Sequence, residues 1–159
     1  MKTCKILNIN ICNISLTELL IDIEKGGFVV TPNVDHLIKL QKDDAFFVAY
    51  SNADYVVFDS KIIQWLSFFL GNKIQEKISG SDFLPAFYFY YKNNQDMRIF
   101  LLGGSKGVAD SARHNINHKV GRNIVVGSYS PSFSFANNEI ESQRIVKLIN
   151  ASGATVLAV

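Results

Sequence analysis

The chain has 159 residues, of which 48% are hydrophobic, and carries 16 basic and 14 acidic residues for a formal net charge of +2. A chain of this size can bury an ordinary core without staples, and its mixed charges, with no long run of either sign, leave no electrostatic footprint for nucleic acid. Cys4 and Cys12, the only cysteines, form neither a CxxC nor a ladder of spacings, which argues against a disulfide framework or a zinc site and for reduced thiols in a cytoplasmic protein.

The elements alternate from one end to the other. Lys5 to Ile11 reads as a short apolar strand. Ser15 and Glu18 have the capping-box spacing that opens a helix, and Gly26-Gly27 can end it. Phe28 to Val30 is a second strand; Val34 to about Ser51 is helical in two pieces around Lys42-Asp43-Asp44. Tyr55 to Phe58 is a third strand, with a helix expected from Lys61 to Leu70 and a loop from Gly71 to Ser81. Asp82 is expected to cap a helix that runs to about Tyr91, with Pro85 in its first turn. Arg98 to Leu102 is the clearest strand. It ends on Gly103-Gly104-Ser105-Lys106-Gly107, and a helix from Val108 to about His118 follows. Asn123 to Val126 is a strand, Ser128 to Asn138 a serine-rich loop, Glu139 to Ile149 a helix, and Thr155 to Val159 the start of a last strand.

Strands alternating with helices of this length imply a Rossmann-like α/β domain, a mostly parallel sheet with helices on both faces. In such sheets the strand ends converge on a crevice. The second strand ends on Thr31-Pro32-Asn33-Val34-Asp35-His36 and the third on Asp59, so the two can build one site with Asp59 as candidate catalytic carboxylate. Each residue has a structural alternative: Asp59 with Ser60 can cap a helix near Lys61, Thr31 or Asn33 can cap the helix after Pro32, and Gly80 and Asp82 can be loop and cap residues. Gly103-Gly104 can be a tight turn or a phosphate cradle; neither GxGxxG nor GxxxxGK[ST] is present. His114 and His118 are four apart on a helix, but no third ligand accompanies them, so no metal site is expected. Six aromatics between Phe83 and Tyr91 form either a wide buried face or a membrane or subunit contact.

Five motifs occur in order: Thr31-Pro32-Asn33; Ala53-Asp54 with Asp59; Lys77-Ile78-Ser79-Gly80-Ser81-Asp82; Phe100-Leu101-Leu102-Gly103-Gly104; and Val126-Gly127-Ser128-Tyr129. With them the chain resembles the WecG/TagA/CpsF glycosyltransferases over nearly its whole length, as one domain spanning residues 1–159. The resemblance implies an inverting hexosyltransferase that moves an N-acetylmannosamine-type sugar from a UDP-sugar donor to a lipid-diphosphate-linked N-acetylglucosamine acceptor, in teichoic acid or related cell-surface polysaccharide synthesis. It implies Asp59 as general base, Thr31 and Asn33 in the same pocket, Gly80 and Asp82 as further substrate contacts, and Gly103 and Gly104 in the nucleotide-binding half.

The chain departs from the family pattern at Ser60, Lys77 and Pro131, where glycine, arginine and glycine are usual. The family also continues past Val159 into a Pro-x-Gln-Glu motif and a basic segment, which makes a fragment or degenerate gene product with reduced activity the expectation. Membrane contact is then expected to be peripheral, at the inner face of the membrane and mainly through that segment, with self-association possible. No cofactor is expected, and the absence of a DxD signature predicts no required divalent ion. A non-catalytic nucleotide-sugar-binding module and a nicotinamide or flavin oxidoreductase domain are the alternatives; the missing GxGxxG argues against the second.

Overall fold

The computed structural model describes residues 2–61, 64, 67, 68 and 74–159. They fall into two compact units, Met1–Ala86 and Phe87–Val159. The architecture is mixed α/β, with parallel strand pairing in both units.

The first unit opens with a hairpin, where one strand from Lys5 to Ile11 was expected. β1 (Thr3–Ile6) pairs antiparallel with β2 (Ile9–Cys12), with Ile6 opposite Ile9. Leu7 takes the turn at φ 53 without being glycine, a conformation that a bulky residue adopts only when its surroundings hold it. Asn8 supplies the hold: its amide donates to the Leu40 carbonyl at 3.1 Å, and its oxygen accepts from Gln41 Nε2 at 2.6 Å.

α1 (Leu16–Asp22) begins as the spacing predicts, with Ser15 and Glu18 forming a full capping box. It winds through a 3-10 turn at Ile23–Lys25 and stops at Gly26, φ 92. β3 (Val29–Val30) pairs in parallel with β4 (Tyr55–Val56). Between them lie α2 (Val34–Lys39) and α3 (Asp44–Ser51), the two expected pieces, the second capped by Asp43 through Phe46 N at 2.9 Å. The pairing continues past the regular ladder, because Val57 N donates to the Val30 carbonyl at 3.0 Å and Asp59 N to the Pro32 carbonyl at 3.2 Å.

Alternation along this segment builds two cores. Val56 and Phe58 pack with Leu37 of α2, Leu40 just after it and Tyr50 of α3, while Val57 packs with Leu19 of α1, Ile14 and Ile78. Helices therefore cover both faces of the strand pair. Of the helix expected over Lys61 to Leu70, residues 61, 64, 67 and 68 are helical; 62, 63, 65, 66, 69 and 70, and the loop start 71–73, lie outside the described residues.

α4 (Gly80–Tyr90) starts earlier than expected. Asp82 does not cap it; Ser79 does, with Asp82 N donating to Ser79 Oγ at 3.2 Å and Phe83 N to the Ser79 carbonyl at 2.8 Å. Pro85 therefore sits inside the helix rather than at its start, where it leaves the Ser81 carbonyl without its usual donor. Of the aromatics, Phe87, Tyr88 and Tyr91 are buried while Phe89 and Tyr90 are exposed.

In the second unit β5 (Ile99–Leu102) lies between β6 (Val125–Tyr129) and β7 (Val156–Ala158), all parallel. The sixth strand runs further than the expected Asn123 to Val126 because Leu101 and Leu102 continue the ladder to Ser128 and Tyr129. α5 (Val108–Val120) is fastened to β6 by Asn117, whose amide donates to the Val125 carbonyl at 3.0 Å and accepts from Val125 N at 2.8 Å. α6 (Glu139–Ser152), capped by Asn138, leads into β7.

Candidate functional site

The parallel pair β3 and β4 brings the two polar strand ends together, as backbone geometry requires once Asp59 N bonds the Pro32 carbonyl. Asp59 is half-buried, and its Oδ1 lies 3.3 Å from Lys77 Nζ. Among the described residues that is the partner of its carboxylate; the Ser60 carbonyl accepts from Gln64 N at 3.1 Å, as at a helix start, and the amides at 62 and 63 that a cap would hold lie outside the described residues. Thr31 stands next to α4, since a side chain placed on Gly80 would meet Thr31 Oγ1 at 3.3 Å. Glycine at that position keeps the approach open. Thr31, Asp59, Lys77 and Gly80 thus gather at one end of the strand pair.

Asn33 is where the structural alternative holds: its Oδ1 accepts from His36 N at 2.9 Å and caps α2. Its side chain remains exposed. Asp54, quoted among the motif residues, is also structural. Its Oδ2 accepts from Phe28 N at 2.8 Å, and its own N–H donates to the Phe28 carbonyl at 3.0 Å, so it clasps the start of β3 to the start of β4.

In the segment from Ile74 to Asp82, the sequence reading named Gly80 and Asp82 as substrate contacts but gave Lys77 and Ser79 no chemistry. Ser79, only 2% exposed, donates to Asp82 Oδ2 at 2.5 Å, and the same oxygen lies 3.4 Å from Lys77 Nζ. Asp82 is accordingly held below the usual carboxylate range by the Ser79 hydroxyl and the Lys77 ammonium. Burial works against the charge on Lys77, but its bonds to Asp59 and Asp82 together raise it above the ordinary lysine value. The site is a cation shared between two carboxylates. Lys77 and Asp59 are 18 residues apart, so no local spacing announces the pair.

In the second unit Gly103 and Gly104 follow β5 at φ 135 and 70, and Gly107 precedes α5 at φ 85. Gly103 N donates to the Tyr129 carbonyl at 2.9 Å and its carbonyl accepts from Ser130 Oγ at 3.2 Å. Gly104 is packed closely, since a Cβ there would meet Val108 Cγ1 at 3.1 Å. Left-handed backbone explains these glycines, and the turn they make delivers the chain to the N-terminal end of α5, which favours negative charge. Lys106 beside them is exposed. Neither histidine of α5 joins a metal cluster: His114 Nδ1 lies 2.8 Å from the Asp110 carbonyl oxygen, and no group of three or more potential ligands occurs among the described residues. No described helix is long and apolar enough to cross a membrane.

The model of the glycosyl transferase WecG/TagA/CpsF family matches residues 4–159. One relative is the N-acetylglucosaminyldiphosphoundecaprenol N-acetyl-beta-D-mannosaminyltransferase of Bacillus subtilis (strain 168), 26% identical over 140 residues that cover 84% of this chain and 54% of that protein. The chain thus spans about half the length of the curated relative that it matches.

Proposed function

The chain belongs to the WecG/TagA/CpsF glycosyltransferase family, and from that premise we propose that it serves the transfer of an N-acetylmannosamine-type sugar from a UDP-sugar to a lipid-diphosphate-linked N-acetylglucosamine. The observation that carries this reading is the position of Asp59, a half-exposed carboxylate at the end of a parallel strand pair beside Thr31 and Gly80. A carboxylate there can accept a proton from an attacking hydroxyl. With Lys77 on Oδ1, Oδ2 is the oxygen assigned to the incoming hydroxyl.

In the proposed reaction the acceptor hydroxyl gives its proton to Asp59, its oxygen forms a bond to the anomeric carbon, and the bond from that carbon to the UDP oxygen breaks. UDP leaves with the electron pair, on the face opposite the attack, which inverts the configuration. The leaving diphosphate needs donors as its charge develops. The turn from Gly103 to Gly107 at the start of α5 fits that need, as backbone amides at a helix start suit phosphate. Thr31 and Gly80 line the acceptor side; Asn33 and Asp82 contribute by holding α2 and Lys77. The remaining expectations, a peripheral place at the inner membrane face and self-association, belong to the same proposal.

The test is release of UDP from UDP-N-acetylmannosamine in the presence of a lipid-diphosphate-N-acetylglucosamine analogue. Asp59→Asn keeps the side chain's size while removing its basicity, and turnover is expected to fall by about 10²- to 10⁴-fold with donor binding retained. Equal turnover in the two proteins would refute the assignment. Donor binding with no turnover in the unsubstituted chain would favour the non-catalytic binding module.

A further inference from the structure

Lys77 stands on unusually well-fixed backbone. Two residues before it, Gln75 N donates to Asn13 Oδ1 at 2.7 Å; next to it, Glu76 Oε2 accepts from Leu16 N at 2.8 Å; after it, Ile78 N donates to the Phe58 carbonyl at 3.0 Å. Ile78 and Ser79 are 1% and 2% exposed. The segment therefore cannot drift, and the Ile78 bond ties it to the residue that precedes Asp59.

The far end of the lysine is fixed as well. Asp82 sits in the first turn of α4, with its carboxylate held by Ser79 Oγ. A lone exposed ion pair does little, because the cost of ordering two long side chains and screening by solvent offset most of its attraction. Here two carboxylates share one ammonium, 3.3 and 3.4 Å away. Asp82 pins the ammonium, and the ammonium then pins Asp59. Asp59's backbone bond to the Pro32 carbonyl places its Cα, and among the described residues Lys77 is the contact on its carboxylate.

We propose that Lys77 is the positioning residue of Asp59, and that Ser79 and Asp82 hold Lys77 for that task. By occupying Oδ1 the ammonium turns Oδ2 toward the incoming hydroxyl, and it keeps its own three protons while Oδ2 receives one. This rests on the reading of Asp59 as the base. Small misplacement of a reacting group is expensive, about 10²-fold in rate for an error near 1 Å, so a residue that touches no substrate can still control turnover.

Two measurements on the full chain test it. The first is the NMR titration of the Lys77 side chain, followed at Cε. It is expected above the ordinary lysine range and is expected to move down in Asp59→Asn and again in Asp82→Asn; a Lys77 signal indifferent to Asp59→Asn would overturn the proposal whether or not the chain turns over. The second is kinetic: Lys77→Met should lower kcat by about 10- to 100-fold with KM nearly unchanged, and Lys77→Arg, which keeps the charge, should restore most of it. A rise in KM at constant kcat would instead make Lys77 a substrate ligand and overturn the proposal. Unchanged turnover in Asp59→Asn removes the base assignment alone, because the Lys77 titration still reports whether the contact exists.

Discussion

Gly127 belongs to a motif that carries the family resemblance, and its surroundings give it a packing cause. It lies in β6 opposite Phe100 of β5. A Cβ at this position would sit 2.6 Å from Phe100 Cδ2 and 2.7 Å from Cε2, about 1 Å inside the optimal carbon–carbon distance of ~3.5–4.0 Å. Phe100 is 3% exposed and has no solvent to turn into. Gly127 is not in the left-handed region, so the cost of Gly127→Ala is steric. Overpacking a filled core costs about 1–3 kcal/mol, offset by about 0.4–1 kcal/mol from a stiffer unfolded chain; the net loss is about 0–2.6 kcal/mol, centred near 1.3. Urea denaturation monitored by circular dichroism measures it. In a Phe100→Leu background the same substitution should cost less, with a coupling of at least about 0.5 kcal/mol. An identical cost of Gly127→Ala in both backgrounds would refute the steric account.

Arg122 reaches four backbone carbonyls at the end of α4 and in the turn after it: Lys92 at 2.6 Å through Nε, and Asn94 at 2.6, Met97 at 3.1 and Tyr91 at 3.3 Å through Nη2. Arg122→Ala should lower stability by about 1.5–3 kcal/mol, the scale of hydrogen bonds to a charged group, and Arg122→Lys should recover little because an ammonium cannot fork; an unchanged urea midpoint would contradict this. Glu141 accepts from Ser132 Oγ and Ser132 N, and Tyr129 also donates to it, which holds its carboxyl below the unfolded value of 4.5. Its contribution is therefore present above that value and lost as pH falls through the lower, folded one. Amide protection factors at 130–134, which remove the intrinsic pH dependence of exchange, should fall on acidification below that point, and Glu141→Gln should abolish that fall; protection that stays constant across this range would show that Glu141 does not fasten the loop.

The alternation of apolar runs with capped helices made the architecture legible, because each parallel strand here is a short continuous apolar segment bounded by polar turns. Ser15-Glu18 and Gly26 announced α1 by chemistry that acts within four residues. The hairpin escaped notice for the opposite reason. Leu7-Asn8 has no turn signature of its own, and the Leu40 and Gln41 contacts that stabilise it come from the end of α2. Arg122 was likewise silent, since backbone carbonyls leave no trace in a sequence.

The site shows where local reading must stop. Asn33, Asp43, Asp54, Asp59 and Asp82 are five short polar side chains at or near element ends, and each fits an N-cap on propensity. Among the described residues Asn33 and Asp43 cap, because the amide three residues on is turned toward them. Asp54 reaches back 26 residues to Phe28 N instead. Asp82 missed the cap role by three positions, since Ser79 is buried at the start of α4 and takes it, which frees the Asp82 carboxylate for Lys77. Asp59 and Asp82 differ from the other three in having their carboxylates met by Lys77, a side chain on well-anchored backbone. That distinction is made by the backbone fastening of residues 75–79 to Asn13, Leu16 and Phe58, long-range bonds that no spacing rule around Asp59 encodes. The candidate base could thus be named from its strand end, whereas the residue that aims it could be found only where the chain returns to it.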